Sequence, residues 1–129
     1  MTLLNLPIPY RVAATIFVFA AIVFVSVIPG RPQPGDSAFV WILAATPTIV
    51  QKTLHLIAYA LLAALWMWTL EFIDSRAWRA GSALSIAIAT GAAMEWLQLS
   101  IPGRFGTLGD VILNAAGAIS GLLAAILLL

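Results

Sequence analysis

Eight side chains in this chain have types and spacings that could do chemistry. In "PTIVQKTLHLIAY", Lys52, His55 and Tyr59 follow at i, i+3 and i+7, so one helix face carries all three. Glu95 and Gln98 in "MEWLQLSIPG" are three apart and also share a face. In "TLGDVILNAAGAISG", Asp110 and Asn114 step by four and begin a stripe that continues through Gly117 and Gly121. Arg104 stands between the last two groups, in the turn "IPGRFGTLGD". An arginine beside the free N–H groups of a helix start favours an anion such as phosphate or carboxylate. A carboxylate and an imidazole can hold or move a proton. The possible chemistry is therefore anion binding, with proton transfer as a further option.

The elements that must position these residues are set by composition. The chain has 129 residues, 63% of them hydrophobic and 9% charged, far below the charge of an ordinary soluble domain. Apolar runs at residues 12–28, 54–70, 80–94 and 111–129 each approach the roughly 20 residues needed to cross hydrocarbon. The expectation is an all-α membrane protein: a single domain over residues 1–129, with four transmembrane helices in an antiparallel bundle. The first run follows Arg11 as a signal peptide's would, but "FVSVIPG" lacks a small-x-small cleavage site, so it reads as a membrane anchor. There are no cysteines, which excludes disulfides, thiolate metal sites and cysteine nucleophiles. A net charge of +1 without a basic cluster gives no sign of a nucleic-acid partner.

Prolines and glycines in "PGRPQPGDSAFVWILAATPT" end the first span. Within that connection, residues 37–45 are apolar but too short to span, and are expected to lie along the interface or fold back as a re-entrant turn, with Trp41 as an interfacial anchor. Thr46 is expected to cap the second span, with Pro47 at its first helical position. Trp66, Trp68, Trp78 and Trp96 also read as interface anchors. Orientation follows from Lys and Arg in the short loops. Placing both termini in the cytoplasm of a bacterial inner membrane assigns Arg11, Arg76 and Arg79 inside and Arg31 and Arg104 outside, with Lys52 near the outer end.

Alternating helix directions bring the start of the second span, the end of the third and the start of the fourth to one side. At about 1.5 Å per residue, Lys52 and His55 lie roughly 7 to 12 Å beyond Pro47, and Glu95 about 10 Å before Pro102. Asp110 and Asn114 share that depth. Ionisable groups in hydrocarbon cost roughly 2.5 to 3.5 kcal/mol each on insertion scales, so groups at one level should face one another or water. The expected result is a polar pocket under the Arg104 turn.

Structural roles compete with functional ones at every position. Thr107 and Asp110 read as N-cap and N3, a capping box with Asp in place of Glu. Gly117 and Gly121 form GxxxG, and Gly81, Ser85, Ala89 and Ala92 offer further small surfaces for close helix packing. Lys52 could snorkel to headgroups. Glu95 could form an ion pair with Lys52 or Arg104, and Arg104 could instead pair with Glu95 or Asp110 to close the turn.

The pieces "KTLHLIAYALLAALW" and "EWLQLSIPGRFGTLGDVILNAAGAISG", on successive membrane helices, resemble the VanZ-like family of small bacterial membrane proteins. The resemblance covers about residues 48–129. It rests on Lys52, His55, Tyr59, Glu95, Gln98, Pro102, Arg104, Asp110, Asn114, Gly117 and Gly121. Leu56 and Gly106 depart from the family pattern, where an aromatic or small polar residue is common. Through its founding member the family is associated with resistance to the glycopeptide teicoplanin. The resemblance constrains architecture more than chemistry.

Three functions remain open on these residues. The reading favoured by the sequence is a binding module for an anionic lipid or lipid-linked cell-envelope headgroup. Its ligand set would be Lys52, His55, Tyr59, Glu95, Gln98, Arg104, Asp110 and Asn114, with membrane lipids as partners and no cofactor. An accessory subunit packed against a larger membrane protein complex is the first alternative. An enzyme with His55 or Glu95 as general base is the second, but the chain shows no serine elbow, P-loop or metal-helix signature. A metal site would rest on three widely separated residues, His55, Glu95 and Asp110.

Overall fold

The computed structural model describes residues 3–28, 32–101 and 107–129, and these residues are all-α. Pro7 and Pro9 open α1 (Ile8–Val27), where a missing N–H costs nothing. The turn that follows needs Gly35 at φ +86°, and Ser37 then caps the short α2 (Ala38–Ala45) by accepting from the Val40 N–H. α3 (Thr48–Thr69) ends in a 3-10 turn over Leu70–Phe72. Ser75 caps α4 (Arg76–Gln98) through the Trp78 N–H, and Thr107 caps α5 (Leu108–Leu128) through the Asp110 N–H.

Four of these helices are long and apolar enough to cross a membrane: α1, α3 with its 3-10 extension, α4 and α5. The chain is thus an all-α, multi-pass membrane protein, as its composition implies. With only eight residues, α2 is too short to span. Its Phe39 stacks on Phe24 of α1 with ring centroids 6.4 Å apart, while Trp41 and Ile42 are exposed.

α3 is the central helix and packs on α1, α4 and α5, most extensively on α5. Its Tyr59, Leu62, Ala63 and Met67 are fully buried against Ala83 and Ala87 of α4 and Ala118 of α5. Small residues allow this closeness, since lipid tails give helices no hydrophobic reason to associate and contact must come from packing. The expected GxxxG pair provides it. A Cβ on Gly117 would stand 2.5 Å from the Leu56 carbonyl oxygen, and one on Gly121 would collide with the Ala60 backbone.

Two expectations need correction. Pro47 is the N-cap of α3, not its first helical residue, and Thr46 closes α2 instead, its hydroxyl donating to the Ile42 carbonyl. The Thr46 carbonyl is taken up by Gln51 Nε2 at 2.7 Å, which ties the two helices at their junction. On α4, Gly81, Ser85, Ala89 and Ala92 face outward, because the register that buries Glu95 and Gln98 also turns Ala83, Ala87 and Gly91 inward.

Gly121→Ala should destabilise the protein by about 1–3 kcal/mol in detergent thermal unfolding, through overpacking against a backbone that cannot yield. Gly81→Ala, with no heavy atom within 4 Å of the new methyl, should be neutral or gain up to about 1 kcal/mol of helix propensity. Equal effects at the two positions would contradict the packing assigned to α3 and α5.

Candidate functional site

The α3–α5 contact sets which groups meet one turn above it. Asn114 precedes Gly117 on α5, and Gly91 on α4 lies directly opposite. A Cβ on Gly91 would come within 3.2 Å of Asn114 Cβ and 3.4 Å of Tyr59 Cε1. Tyr59, Gly91 and Asn114 therefore form a three-helix junction without room for another methyl.

Glu95 stands one turn further along α4. It is 6% exposed, Asn114 3% and Gln98 5%, so three strongly polar side chains are buried at a single level. Asn114 Nδ2 donates to Glu95 Oε1 at 3.4 Å, and Tyr59 lies within electrostatic range of Glu95. Gln98 points the other way, donating to the Ser26 carbonyl of α1 at 3.3 Å. Amides and a carboxylate thus connect α1, α4 and α5 at this end, while α3 joins them by the packing of Tyr59.

On α3 the expected face runs inward as it runs down the helix. Lys52 is exposed, His55 half-buried and Tyr59 fully buried. Lys52 Nζ lies 3.8 Å from Asp110 Oδ1, an ion pair at the rim beyond hydrogen-bonding distance. Lys52 therefore meets Asp110, and Glu95 meets Asn114, so the pairing of Lys52 with Glu95 expected above is replaced. Asp110 stands at the capped start of α5 as expected, its N–H donating to Thr107 Oγ1 at 3.1 Å, and its carboxylate reaches Lys52, a partner the sequence did not suggest. Of the eight residues picked out by type and spacing, seven converge on one end of the bundle. The eighth, Arg104, lies outside the described residues together with Pro102, Gly103 and Gly106. Among the described residues, no three His, Asp or Glu side chains come together as a metal site would need.

The opposite end holds a cluster that sequence reasoning missed. Arg11, read as a topological charge, is 8% exposed. Its guanidinium pairs with Glu71, donates to the carbonyls of Leu6 at 2.6 Å, Trp68 at 3.1 Å and Leu4 at 3.2 Å, and lies over the Trp68 ring at 5.0 Å. Below it, the hydroxyls of Thr15 and Thr69 share a hydrogen bond of 2.8 Å. Trp68 is thus an anchor for Arg11, and Trp66 packs against the core, whereas Trp78 and Trp96 are exposed as interface anchors would be. The available signal was a tryptophan and a carboxylate three residues apart at the end of one helix, level with an arginine at the start of its neighbour. Glu71 connects this cluster to α4, since its carbonyl and that of Ile73 accept from Arg79.

The sequence model of a family described as VanZ/LLP1 matches residues 2–129. No curated protein and no solved structure matches the chain.

Replacing Glu95 with Ala leaves the buried Asn114 amide without its acceptor and should cost about 1–3 kcal/mol in unfolding from detergent. A double-mutant cycle with Asn114→Ala should return a coupling of about 0.6 kcal/mol, the average for hydrogen bonds between membrane helices, whose upper limit is about 1.7 kcal/mol. Strict additivity would show that the two side chains do not interact.

Proposed function

Starting from a chain that belongs to the VanZ/LLP1 family and crosses the membrane several times, we propose that it binds an anionic lipid or lipid-linked headgroup at its polar end. The proposed setting is the bacterial cytoplasmic membrane, with both termini in the cytoplasm and the polar end on the outer face. The observation that carries this reading is the loose Lys52–Asp110 pair directly above a buried polar layer. At 3.8 Å, with side-chain exposures of 51% and 25%, that pair contributes about 0–1 kcal/mol. Lys52 can therefore leave Asp110 for a phosphate or carboxylate at little cost.

The start of α5 adds to the attraction. Its free N–H groups and helix dipole favour negative charge, and Asp110 already exploits them from within the chain. Arg104, three residues before Thr107, supplies a second cation by its place in the sequence. Glu95, Gln98 and Asn114 act beneath the headgroup. They tie α4 to α1 and to α5, and the close α3–α5 contact completes the floor on which the cations are presented. Charge from Lys52 and Arg104 holds the ligand, His55 borders it on α3, Tyr59 lies buried beneath it, and Asp110 is the group it displaces.

Lys52→Gln should lower retention of phosphatidylglycerol relative to phosphatidylcholine about tenfold in native mass spectrometry, or about 1.4 kcal/mol. Thermal stability should change by no more than about 0.5 kcal/mol, since the residue is exposed. Arg104→Gln should act in the same direction. Unchanged anionic preference in both variants, or stability and retention falling in parallel, would refute the headgroup site.

A further inference from the structure

A groove of about 330 Å³ lies between α1 and α3, next to the polar end. Its walls are Phe17, Ala21 and Val25 of α1 and Leu54, Ala58 and Leu61 of α3. At one end the lining turns polar, with Thr46, Gln51 and His55, and Leu43 of α2 adjoins them. The geometry points to this groove as the seat of a single hydrocarbon chain, whose own polar head sits at the Lys52–Asp110 rim.

Its extent favours a chain over other occupants. Along α1 it runs from Val25, near the helix end, to Phe17, the helix midpoint, or about 12 Å at 1.5 Å per residue. Along α3 it runs from Gln51, in the first turn, to Leu61, just past the midpoint. The groove thus covers about half of a hydrocarbon core of ~30 Å, the depth of one leaflet, and begins at the end where Lys52 stands. A volume near 300 Å³ is at the lower limit of small-molecule pockets, suited to one chain but not to a second helix. Polarity changes along the groove as it does along an amphiphile. The polar mouth adjoins the charged rim through His55, which lines the groove and follows Lys52 by three positions on one face of α3.

This assignment rests on the headgroup reading for the position of the head, but the chain can be tested by itself. The shared ligand chemistry is a hydrocarbon chain on an anionic head, which both phospholipids and polyprenyl phosphates possess.

The test uses the full chain in bilayers with phosphatidylglycerol carrying a diazirine in mid-chain, and diacylglycerol with the same labelled chain as the uncharged comparison. Adducts should concentrate on residues 17–25 and 54–61. Ala21→Trp, which fills the groove from an exposed position on α1, should reduce them at least fivefold, and Ala58→Leu should do so from the other wall. Leu123→Trp, on an outward face of α5, should leave them unchanged. Adducts spread evenly over all four spanning helices, or groove adducts untouched by both filling variants, would overturn the assignment. Groove adducts of equal yield from charged and uncharged lipid would sustain the chain site and contradict the headgroup site. Competition by undecaprenyl phosphate at concentrations where unlabelled phosphatidylglycerol fails would assign the chain to a polyprenyl lipid, and the reverse order to a phospholipid.

Discussion

The contact between the backbones of α3 and α5 is the constraint from which the rest of the arrangement follows. Gly117 and Gly121 present no side chain to the carbonyls of Leu56 and Ala60, so the helices meet at a distance that any larger residue would forbid. With that distance fixed, Asn114 is held one turn higher against Gly91 and Tyr59, and Asp110 one turn higher again beside Lys52. Lipid offers no hydrophobic gain for helix association. Contact made possible by small residues therefore sets the distance at which polar groups on these helices can meet.

The bundle treats its two ends differently. At the Arg11 end, the guanidinium has a carboxylate, three carbonyls and an aromatic face as partners, an arrangement that leaves the charge compensated and closes the structure. At the Lys52 end the outermost charges are loosely paired, with the Asn114 and Gln98 amides and the Glu95 carboxyl buried beneath. A tightly satisfied cation is a poor ligand for anything else, whereas a half-exposed cation next to a carboxylate 3.8 Å away can exchange partners. This contrast separates the end whose cation is fully engaged from the end at which headgroup binding is proposed. The groove along α1 and α3 extends the second end from the charged surface into the apolar interior.

Much of this was legible from residue spacing. Helix existence followed from apolar runs of membrane length, and the convergence of Lys52, Tyr59, Glu95, Gln98 and Asn114 followed from helix periodicity with alternating direction. The role of Gly117 and Gly121 was legible because GxxxG has a direct steric meaning. Pair identity was not, since Lys52 could reach Asp110 or Glu95 and only the register of α4 against α5 decides. The outward face of Gly81, Ser85 and Ala89 was misjudged for a similar reason: small residues occupy both sides of α4, and the buried polar residues determine which side turns in. Arg11 looks like a topological charge because its partners, Trp68 and Glu71, lie some 60 residues away in sequence, and their spacing marks the pairing only once the two helix ends are level. The groove depends on how far α1 stands from α3, a distance that no pattern within either helix encodes.

The buried polar layer of Glu95 and Asn114 holds this end of the bundle together, and solid-state NMR in lipid tests it directly. With ¹⁵N on the Asn114 side-chain amide and ¹³C on the Glu95 carboxyl, a strong dipolar coupling should appear, as expected for a hydrogen bond between Nδ2 and Oε1. The Glu95 carboxyl should show no contact with lipid acyl protons. Loss of that coupling, with acyl protons close to the Glu95 carboxyl instead, would contradict the whole arrangement.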